Sequence, residues 1–172
     1  MNQRPRAIVS AILIKRRGKN VKVFLQTRWK PDKSPSYSGM IEIPAGVINA
    51  YENIYVALKR EVKEECGLKI VNIIGNYQGP VKKPRKHDKA FVFRPFICQQ
   101  ALETNKGLPW IGFVFLCEVT GDVQMDQTEA KDPRWVTITE LRHLIKTKTI
   151  EIFPLQLPVL EYFLNYWKNK KS

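Results

Sequence analysis

Three glutamates, Glu61, Glu64 and Glu65, lie within five consecutive positions of a chain whose formal net charge is +13. Carboxylates separated by three and four residues share one face of a helix and repel one another there. A hard divalent cation such as Mg²⁺ would reverse that repulsion, because it binds through a few carboxylates together with substrate phosphates. A solvated acidic helix face is the alternative that these three residues alone leave open.

The residues around the glutamates predict the helix that would carry them. The helical pattern runs from about Glu52 to Cys66, and Gly67 follows, where a glycine can end a helix in the left-handed conformation. Cys66 is interpreted as a small buried residue of this helix. The predicted apolar stripe has helical spacing and comprises Ile54, Ala57, Leu58 and Val62.

The stretch "GVINAYENIYVALKREVKEECGL" at residues 46–68 resembles the signature of the Nudix hydrolase family. That signature, the Nudix box, is G-x5-E-x7-R-E-U-x-E-E-x-G-U, where U is a bulky aliphatic residue. Every defined position is matched, by Gly46, Glu52, Arg60, Glu61, Val62, Glu64, Glu65, Gly67 and Leu68. The segment "EIPAG" at 42–46, which leads into the box, is weakly similar to the ADP-ribose pyrophosphatases of the family.

The resemblance implies an α/β fold, the Nudix-type α/β/α sandwich around a mixed β-sheet, as a single domain over residues 1–172. The apolar patterns independently predict strands in hairpins as well as beside helices, which favours a mixed sheet flanked by helices. Residues 21–29 are the predicted hairpin partner of the first strand, with Phe24 on the face opposite the other apolar residues. A later helix is predicted to begin at Thr139 as N-cap, and a C-terminal helix at about 154–168.

The family pattern implies a magnesium site, with Mn²⁺ as a substitute. Glu52 and Arg60 are expected to form an ion pair behind the site that fixes the loop against the helix. The expected metal ligands are one backbone carbonyl and three carboxylates, from Gly46, Glu61, Glu64 and Glu65.

Glu61 and Glu64 are also expected to take part in catalysis. Glu129, in the loop "DQTEAKDPRW", is the third catalytic candidate, as a general base, although solvation explains a loop glutamate equally well. Glu118, in a predicted strand, is a weaker candidate. His87 is not assigned this role, because its basic neighbours disfavour a second positive charge.

Substrate contacts are inferred from position. Arg28 and Glu42 occupy places that often touch the substrate in ADP-ribose-type relatives. Trp29, Tyr37 and Trp110 lie near predicted loops, where each could stack on a base or simply pack against the protein.

The implied activity is Mg²⁺-dependent hydrolysis of the pyrophosphate linkage in a nucleoside diphosphate linked to another group, X. The enzyme would thus act on phosphoanhydride bonds, with ADP-ribose or another sugar nucleotide favoured as substrate. Hydrolysis of an RNA 5′ end or of a nucleoside triphosphate is the alternative within the family. A non-catalytic nucleotide-sensing or nucleic-acid-binding module is the alternative of another class, which the retention of every box glutamate disfavours.

Composition and cysteine usage bound the class of protein. A hydrophobic share of 44% is that of a globular chain. Three widely spaced cysteines without a C-x-x-C pair suit a reducing cytosol, and neither a signal peptide nor a membrane-length apolar stretch is evident. We therefore expect a cytoplasmic protein with a small-molecule nucleotide as partner, without membrane association. A homodimer is compatible with the family.

Basic residues concentrate in three clusters. One is the segment "KKPRKHDK" at 82–89, and another is the tail "KNKK" at 168–171. Each cluster is either a solvated surface or a binding surface for a polyanion, and the 82–89 loop leaves room for an RNA partner. The remaining cluster lies in the first hairpin and comprises Lys15, Arg16, Arg17, Lys19 and Lys22.

Overall fold

The computed structural model describes residues 4–18, 20–105, 107, 109–125 and 127–170. Lys19 of the first-hairpin cluster and Lys171 of the tail cluster lie outside the described residues, as do the first three and last two residues of the predicted domain. The helices are α1 (Ile54–Cys66), α2 (Ile138–Thr147) and α3 (Leu157–Asn169). The strands are β1 (Arg6–Arg17), β2 (Asn20–Arg28), β3 (Ile41–Glu42), β4 (Ala45–Val47), β5 (Lys69–Ile74), β6 (Tyr77–Gln78), β7 (Lys82–Arg85), β8 (Asp88–Ala90), β9 (Phe93–Arg94), β10 (Ile97–Ala101), β11 (Trp110–Thr120) and β12 (Ala130–Thr137).

The main sheet is mixed and is built around β1. Its strand order is β10-β11-β1-β2-β12, with β1 and β11 parallel and the other neighbouring pairs antiparallel. β5 pairs with the end of β11 and β10 with its beginning. The predicted hairpin of the first two strands is present, with Ile14 opposite Val23.

A divergence between β1 and β2 creates space for the chain that leads into α1. β1 pairs with β2 only from Ile14 onward, whereas its earlier residues Ile8 to Ser10 pair with β4. The end of β2 pairs with β3. The segment 41–47 therefore crosses from β2 to β1 in the gap, which places its backbone beside the helix that follows.

Alternating side chains of β1 serve two separate hydrophobic layers, as the period of two in a strand requires. Ile12 and Ile14 belong to a core cluster that also contains residues of α2 and α3. Leu13 belongs to a second cluster on the opposite face, with residues of α1. Phe24 lies in this second cluster while Val23 lies in the first, as predicted. The layers are those of an α/β/α sandwich around a mixed sheet.

The two later helices begin at residues other than those predicted. α2 is capped by Thr137 instead of Thr139: the Thr137 hydroxyl accepts from the Glu140 amide at 3.1 Å, and the Glu140 carboxylate accepts from the Thr137 amide at 2.6 Å. This reciprocal capping box satisfies two amides that Thr139 could not reach. α3 begins at Leu157, after a turn, and not at 154.

Within the part of the chain that the structure describes, no helix combines the length and the apolarity needed to cross a membrane.

Gln156 stands in for a missing sheet partner of Ile43. Its side chain is buried, accepts from the Ile43 amide at 2.8 Å and donates to the Ile43 carbonyl at 3.0 Å. Gln156→Leu is expected to lower the free energy of unfolding by about 2–3 kcal/mol, because both backbone groups would be left buried and unpaired. Denaturant unfolding would measure the loss. Gln100→Leu, at an exposed position of β10, is the control; an equal effect of both substitutions would contradict this account.

Candidate active site

Helix α1 presents the clustered glutamates toward the chain segment 45–47. The Asn53 side chain caps its first turn by accepting from the Tyr55 amide at 2.9 Å, and Gly67, at φ 69°, ends it in the left-handed conformation. The apolar stripe is buried as predicted, and Glu61 and Glu65, near the end of the helix, are themselves partly buried, whereas Glu64 is exposed. The buried stripe comprises Ile54, Ala57, Leu58 and Val62.

One cavity of about 820 Å³ brings most of the predicted site residues together. Trp110 and Tyr37 also line it, whereas Trp29 does not; a lysine, Lys131, lies 3.1 Å from the centre of the Trp29 ring. Glu52 and Arg60 lie outside the lining. The predicted residues in the lining are Arg28, Glu42, Gly46, Glu61, Glu64, Glu65 and Glu129.

Glu65 is the most deeply placed of the helix acids. Its Oε2 accepts from Gln26 Nε2 at 2.9 Å and from the Ala45 amide at 3.2 Å. Burial, together with the neighbouring charge of Glu42, raises the pKa of Glu65 to about 8. Burial also raises the pKa of Glu61. Carboxyl groups crowded in this way favour an additional positive charge between them.

Gly46 leaves the room that the Glu61 carboxylate occupies. A Cβ built on Gly46 would lie 1.8 Å from Glu61 Cδ and about 2 Å from both carboxylate oxygens. No side chain fits at this distance, so the Glu61 carboxylate rests directly on the Gly46 backbone. This close approach explains a glycine at the first position of the motif.

Arg60 connects the loop before α1 to its acidic face. It donates to Glu52 from Nε and Nη2, both at 2.9 Å, and from Nη2 to the Val47 carbonyl at 3.1 Å. Its Nη1 donates to Glu61 at 2.6 Å and to Glu64 at 3.1 Å. The guanidinium thus fixes both the loop and two of the predicted ligands, while the fork on Glu52 resists rotation.

The donor set suits a hard cation, although Arg60 engages two of the carboxylates, those of Glu61 and Glu64. Among the described residues, no three acidic, histidine or cysteine side chains are grouped closely enough to hold a metal ion. The oxygen-only set of Glu61, Glu64, Glu65 and the Gly46 carbonyl is nevertheless the kind that Mg²⁺ prefers, and the acids face the cavity. The metal ligands therefore stay a prediction.

Glu129 also lines the cavity and is held by two lysines. Lys30 Nζ donates to it at 2.7 Å and Lys33 Nζ at 2.9 Å. The hydrogen bond from Lys30, followed by that from Lys33, lowers the pKa of Glu129 to about 2. In this arrangement the carboxylate is a poor proton acceptor at neutral pH.

Arg28 and Glu42 bind each other. The distance from Arg28 Nη1 to Glu42 Oε2 is 3.0 Å, and the guanidinium lies over the Phe153 ring at 5.2 Å. Burial raises the pKa of Glu42, against the opposing effect of Arg28. Among the described residues, Arg28 Nε is one of two buried side-chain polar atoms without a hydrogen-bond partner.

The two side chains weighed as weaker bases lie elsewhere. Glu118 forms an ion pair with Arg16 at 2.5 Å and is not part of the cavity lining. His87 lies in the exposed segment between β7 and β8.

Several residues of the site carry no strong sequence signal. Gln26 is fully buried and holds Glu65, but in the sequence it is only one of several polar residues of β2. Lys30 and Lys33 follow Arg28 in a loop, and their proximity to Glu129 depends on the pairing of β2 with β12.

The Glu52–Arg60 pair predicts a pH dependence of stability. The Arg60 hydrogen bonds lower the pKa of Glu52 from its ordinary 4.5 to about 2. The unfolded chain therefore takes up a proton near pH 4.5, before the folded chain does, and this stabilisation is lost as the pH falls toward 2. The difference in Tm between wild type and Glu52→Gln should shrink over that window. Glu103→Gln, at an exposed loop position, is the control; a difference that is constant with pH would contradict the assignment.

The sequence profile of the NUDIX domain matches residues 4–156. The chain therefore belongs to the NUDIX domain family, and four of the defined residues of the box line one cavity of an α/β/α sandwich: Gly46, Glu61, Glu64 and Glu65. The predictions of family and fold are thereby confirmed, and membership supports the predicted class of enzyme.

A curated relative and two solved structures illustrate the similarity. The ADP-ribose pyrophosphatase of Methanocaldococcus jannaschii is 35% identical over 63 residues, which are 36% of this chain and only 37% of that relative. The MutT protein from Methanosarcina mazei Go1 has a TM-score of 0.66 at 18% identity, over 98% of this chain and 99% of its own. The NUDIX domain of Shewanella oneidensis NrtR, complexed with ADP ribose, has a TM-score of 0.64 at 11% identity, over 99% of this chain and 90% of its own. At these identities the two structures establish the fold alone.

Proposed function

We propose that this chain is a Mg²⁺-dependent hydrolase of the pyrophosphate linkage in a nucleoside diphosphate linked to X, with ADP-ribose or another sugar nucleotide as the favoured substrate. The observation that carries the proposal is one cavity whose lining combines an acidic wall from α1 with a basic wall from the end of β2 and the loop that follows it. The acidic wall is Glu61, Glu64 and Glu65, and the basic wall is Arg28, Lys30 and Lys33.

The acidic wall would hold the metal. When bound, Mg²⁺ would neutralise pyrophosphate charge and lower the pKa of a bound water. Gln26 and the Ala45 amide orient Glu65, and Arg60 orients Glu61 and Glu64. Because these contacts hold the carboxylates at the cavity, side-chain movements alone would let them converge on the cation, with Arg60 releasing Glu61 and Glu64.

The basic wall would hold the phosphates. Lys30 and Lys33 can exchange the Glu129 carboxylate for a phosphate oxygen of the substrate. The guanidinium of Arg28, whose Nη1 donates to Glu42, adds a further positive charge to the cavity lining. Release of Glu129 from its lysines would raise its pKa toward the ordinary value, and Glu129 would then become a competent proton acceptor only when substrate is present.

The choice of a sugar nucleotide is supported by similarity and by size. The M. jannaschii relative is an ADP-ribose pyrophosphatase, and the NrtR domain was crystallised with ADP ribose. A volume of about 820 Å³ falls within the range of small-molecule sites, and Trp110 at its lining could stack on a base.

The cysteines support the proposed cytoplasmic location. All three are free thiols. Burial raises the pKa of both Cys66 and Cys117, which keeps these thiols protonated and unreactive.

Turnover on a substrate panel tests the proposal. The panel comprises ADP-ribose, other sugar nucleotides, nucleoside triphosphates, dinucleoside polyphosphates and a triphosphorylated RNA, each with Mg²⁺, with Mn²⁺ and with EDTA. We expect metal-dependent release of a nucleoside monophosphate, fastest from a sugar nucleotide. Tight nucleotide binding in EDTA without turnover of any compound would instead indicate a non-catalytic module.

A further inference from the structure

The segment from β6 to β9 forms a two-stranded arm outside the main sheet. β6 pairs with β9 at its base, and β7 pairs with β8 toward its tip, both antiparallel. Between these ladders the Gly79 amide donates to the Val92 carbonyl at 2.8 Å. The arm, residues 77–94, is thus one continuous hairpin, and we call its outer part, residues 82–90, the basic ribbon.

The base of the arm is anchored to helix α1. The Tyr55 hydroxyl donates to the Tyr77 carbonyl at 3.0 Å, and its ring contacts those of Phe91 and Phe93, with centroids 6.3 and 6.4 Å apart. Phe93 also contacts Phe113 at 5.4 Å. Aromatic packing of this kind fixes the direction of the arm relative to the domain.

The basic ribbon carries a concentrated charge that the structure does not neutralise. Every residue from 82 to 90 is exposed, and Asp88 is the only acid among them. Among the described residues, none of the ribbon's lysine and arginine side chains forms an ion pair, whereas Arg16 and Arg60 each have carboxylate partners. None of the ribbon residues lines the cavity. The five cations are Lys82, Lys83, Arg85, Lys86 and Lys89.

The chemistry of the arm fits a single-stranded nucleic acid better than an anionic membrane. Exposed apolar side chains occur only near the base, at Tyr77 (52%), Val81 (50%) and Val92 (66%). The tip carries no large apolar residue that could enter a bilayer, which an interfacial membrane anchor requires. A row of cations on an arm with an exposed aromatic ring at its base is instead a combination that can bind phosphates along the ribbon and stack an unpaired base.

We propose that the basic ribbon binds the phosphate chain of a single-stranded nucleic acid, at a surface separate from the cavity. The interaction is chiefly electrostatic, and its affinity falls with salt because each phosphate that is neutralised releases condensed counterions. This binding goes beyond the proposed hydrolysis of a small nucleotide, and it requires no metal.

Fluorescence anisotropy of a labelled single-stranded oligonucleotide, as RNA and as DNA, tests the proposal in EDTA. The ribbon variant Lys83→Gln/Arg85→Gln/Lys86→Gln is compared with Arg142→Gln/Lys146→Gln/Lys168→Gln, which removes the same charge from exposed positions on α2 and α3. The ribbon variant should bind at least about tenfold more weakly at low salt, and the slope of log affinity against log salt should fall in magnitude by about 2. The control variant should stay within about twofold of wild type.

Four results would overturn the proposal. Equal losses in the two variants would show that net charge alone governs binding, and an unchanged ribbon variant would exclude the ribbon. Ribbon-dependent binding to anionic phospholipid vesicles that is tighter than binding to the oligonucleotide would assign the surface to a membrane. Glu61→Gln should bind the oligonucleotide as wild type does, because Glu61 lies in the cavity and not on the ribbon. Binding to the ribbon can therefore be tested even if the hydrolase proposal fails. Loss of oligonucleotide binding in Glu61→Gln would contradict a separate surface.

Discussion

Replacing Glu61 by Gln is expected to lower kcat by about 10²–10³-fold with Mg²⁺, the equivalent of several kcal/mol of lost transition-state stabilisation. Glu61 lines the cavity between Gly46 and Arg60, and its carboxylate is a predicted metal ligand. Glutamine keeps the shape and one acceptor oxygen but removes the negative charge. Steady-state kinetics on the best substrate of the panel, over a range of Mg²⁺ concentrations, would measure the effect.

The same substitution should leave Tm unchanged or raise it. Burial raises the pKa of Glu61, so the folded protein disfavours its charged form, and a neutral side chain removes that penalty. Glu161→Gln, at an exposed position of α3, is the control and should change neither kcat nor Tm. Full activity of Glu61→Gln at saturating Mg²⁺ would contradict the assignment of Glu61 as a metal ligand.

Gly46→Ala is expected to lower kcat/KM by about 10²-fold, the scale of a displacement of about 1 Å in a catalytic group. The added Cβ would occupy the space of the Glu61 carboxylate, which must move away. Because the clash is with the flexible end of a side chain and not with backbone, the fold should tolerate it. Kinetics and thermal unfolding of the same preparation would separate the effect on activity from any effect on folding stability.

A double-mutant cycle shows whether Gly46 acts through Glu61. If Gly46→Ala harms activity only by displacing the Glu61 carboxylate, the double variant Gly46→Ala/Glu61→Gln should be no less active than Glu61→Gln alone. Losses that multiply would mean that the Gly46 backbone has a role of its own. A loss of several kcal/mol in folding stability would contradict the local explanation.

The local elements of the site could be predicted because their causes are local. The apolar stripe of α1, its ending at Gly67 and the spacing of Glu61, Glu64 and Glu65 all depend on residues within one or two turns. Phe24 and Val23 lie on opposite faces of the sheet because successive side chains of a strand alternate between its two faces. The first residues of the helices were less predictable. Thr137 and Thr139 are both suitable N-cap residues, but only Thr137 has a glutamate, Glu140, three residues later with which it forms a capping box.

The partners of the site residues could not be predicted in the same way. Glu129 was predicted as a general base from its position in a loop, but its pKa depends on Lys30 and Lys33, which lie 99 and 96 residues away in sequence. Arg28 and Glu42 were predicted as substrate contacts, yet each also neutralises the other. Neither pairing leaves a periodic pattern in the sequence.

Helix α1, the family of the chain and the alternation of the central strands could all be read from the sequence alone. These features depend on propensity, spacing and side-chain type, which act over a few residues. Three contacts became visible only in the folded chain: Gln26 holds Glu65, Gln156 pairs with Ile43 across 113 residues, and two lysines line the same cavity as the acids of α1. Such contacts arise when strand pairing brings distant segments together, and the register of the main sheet then sets which charges meet and which pKa values shift.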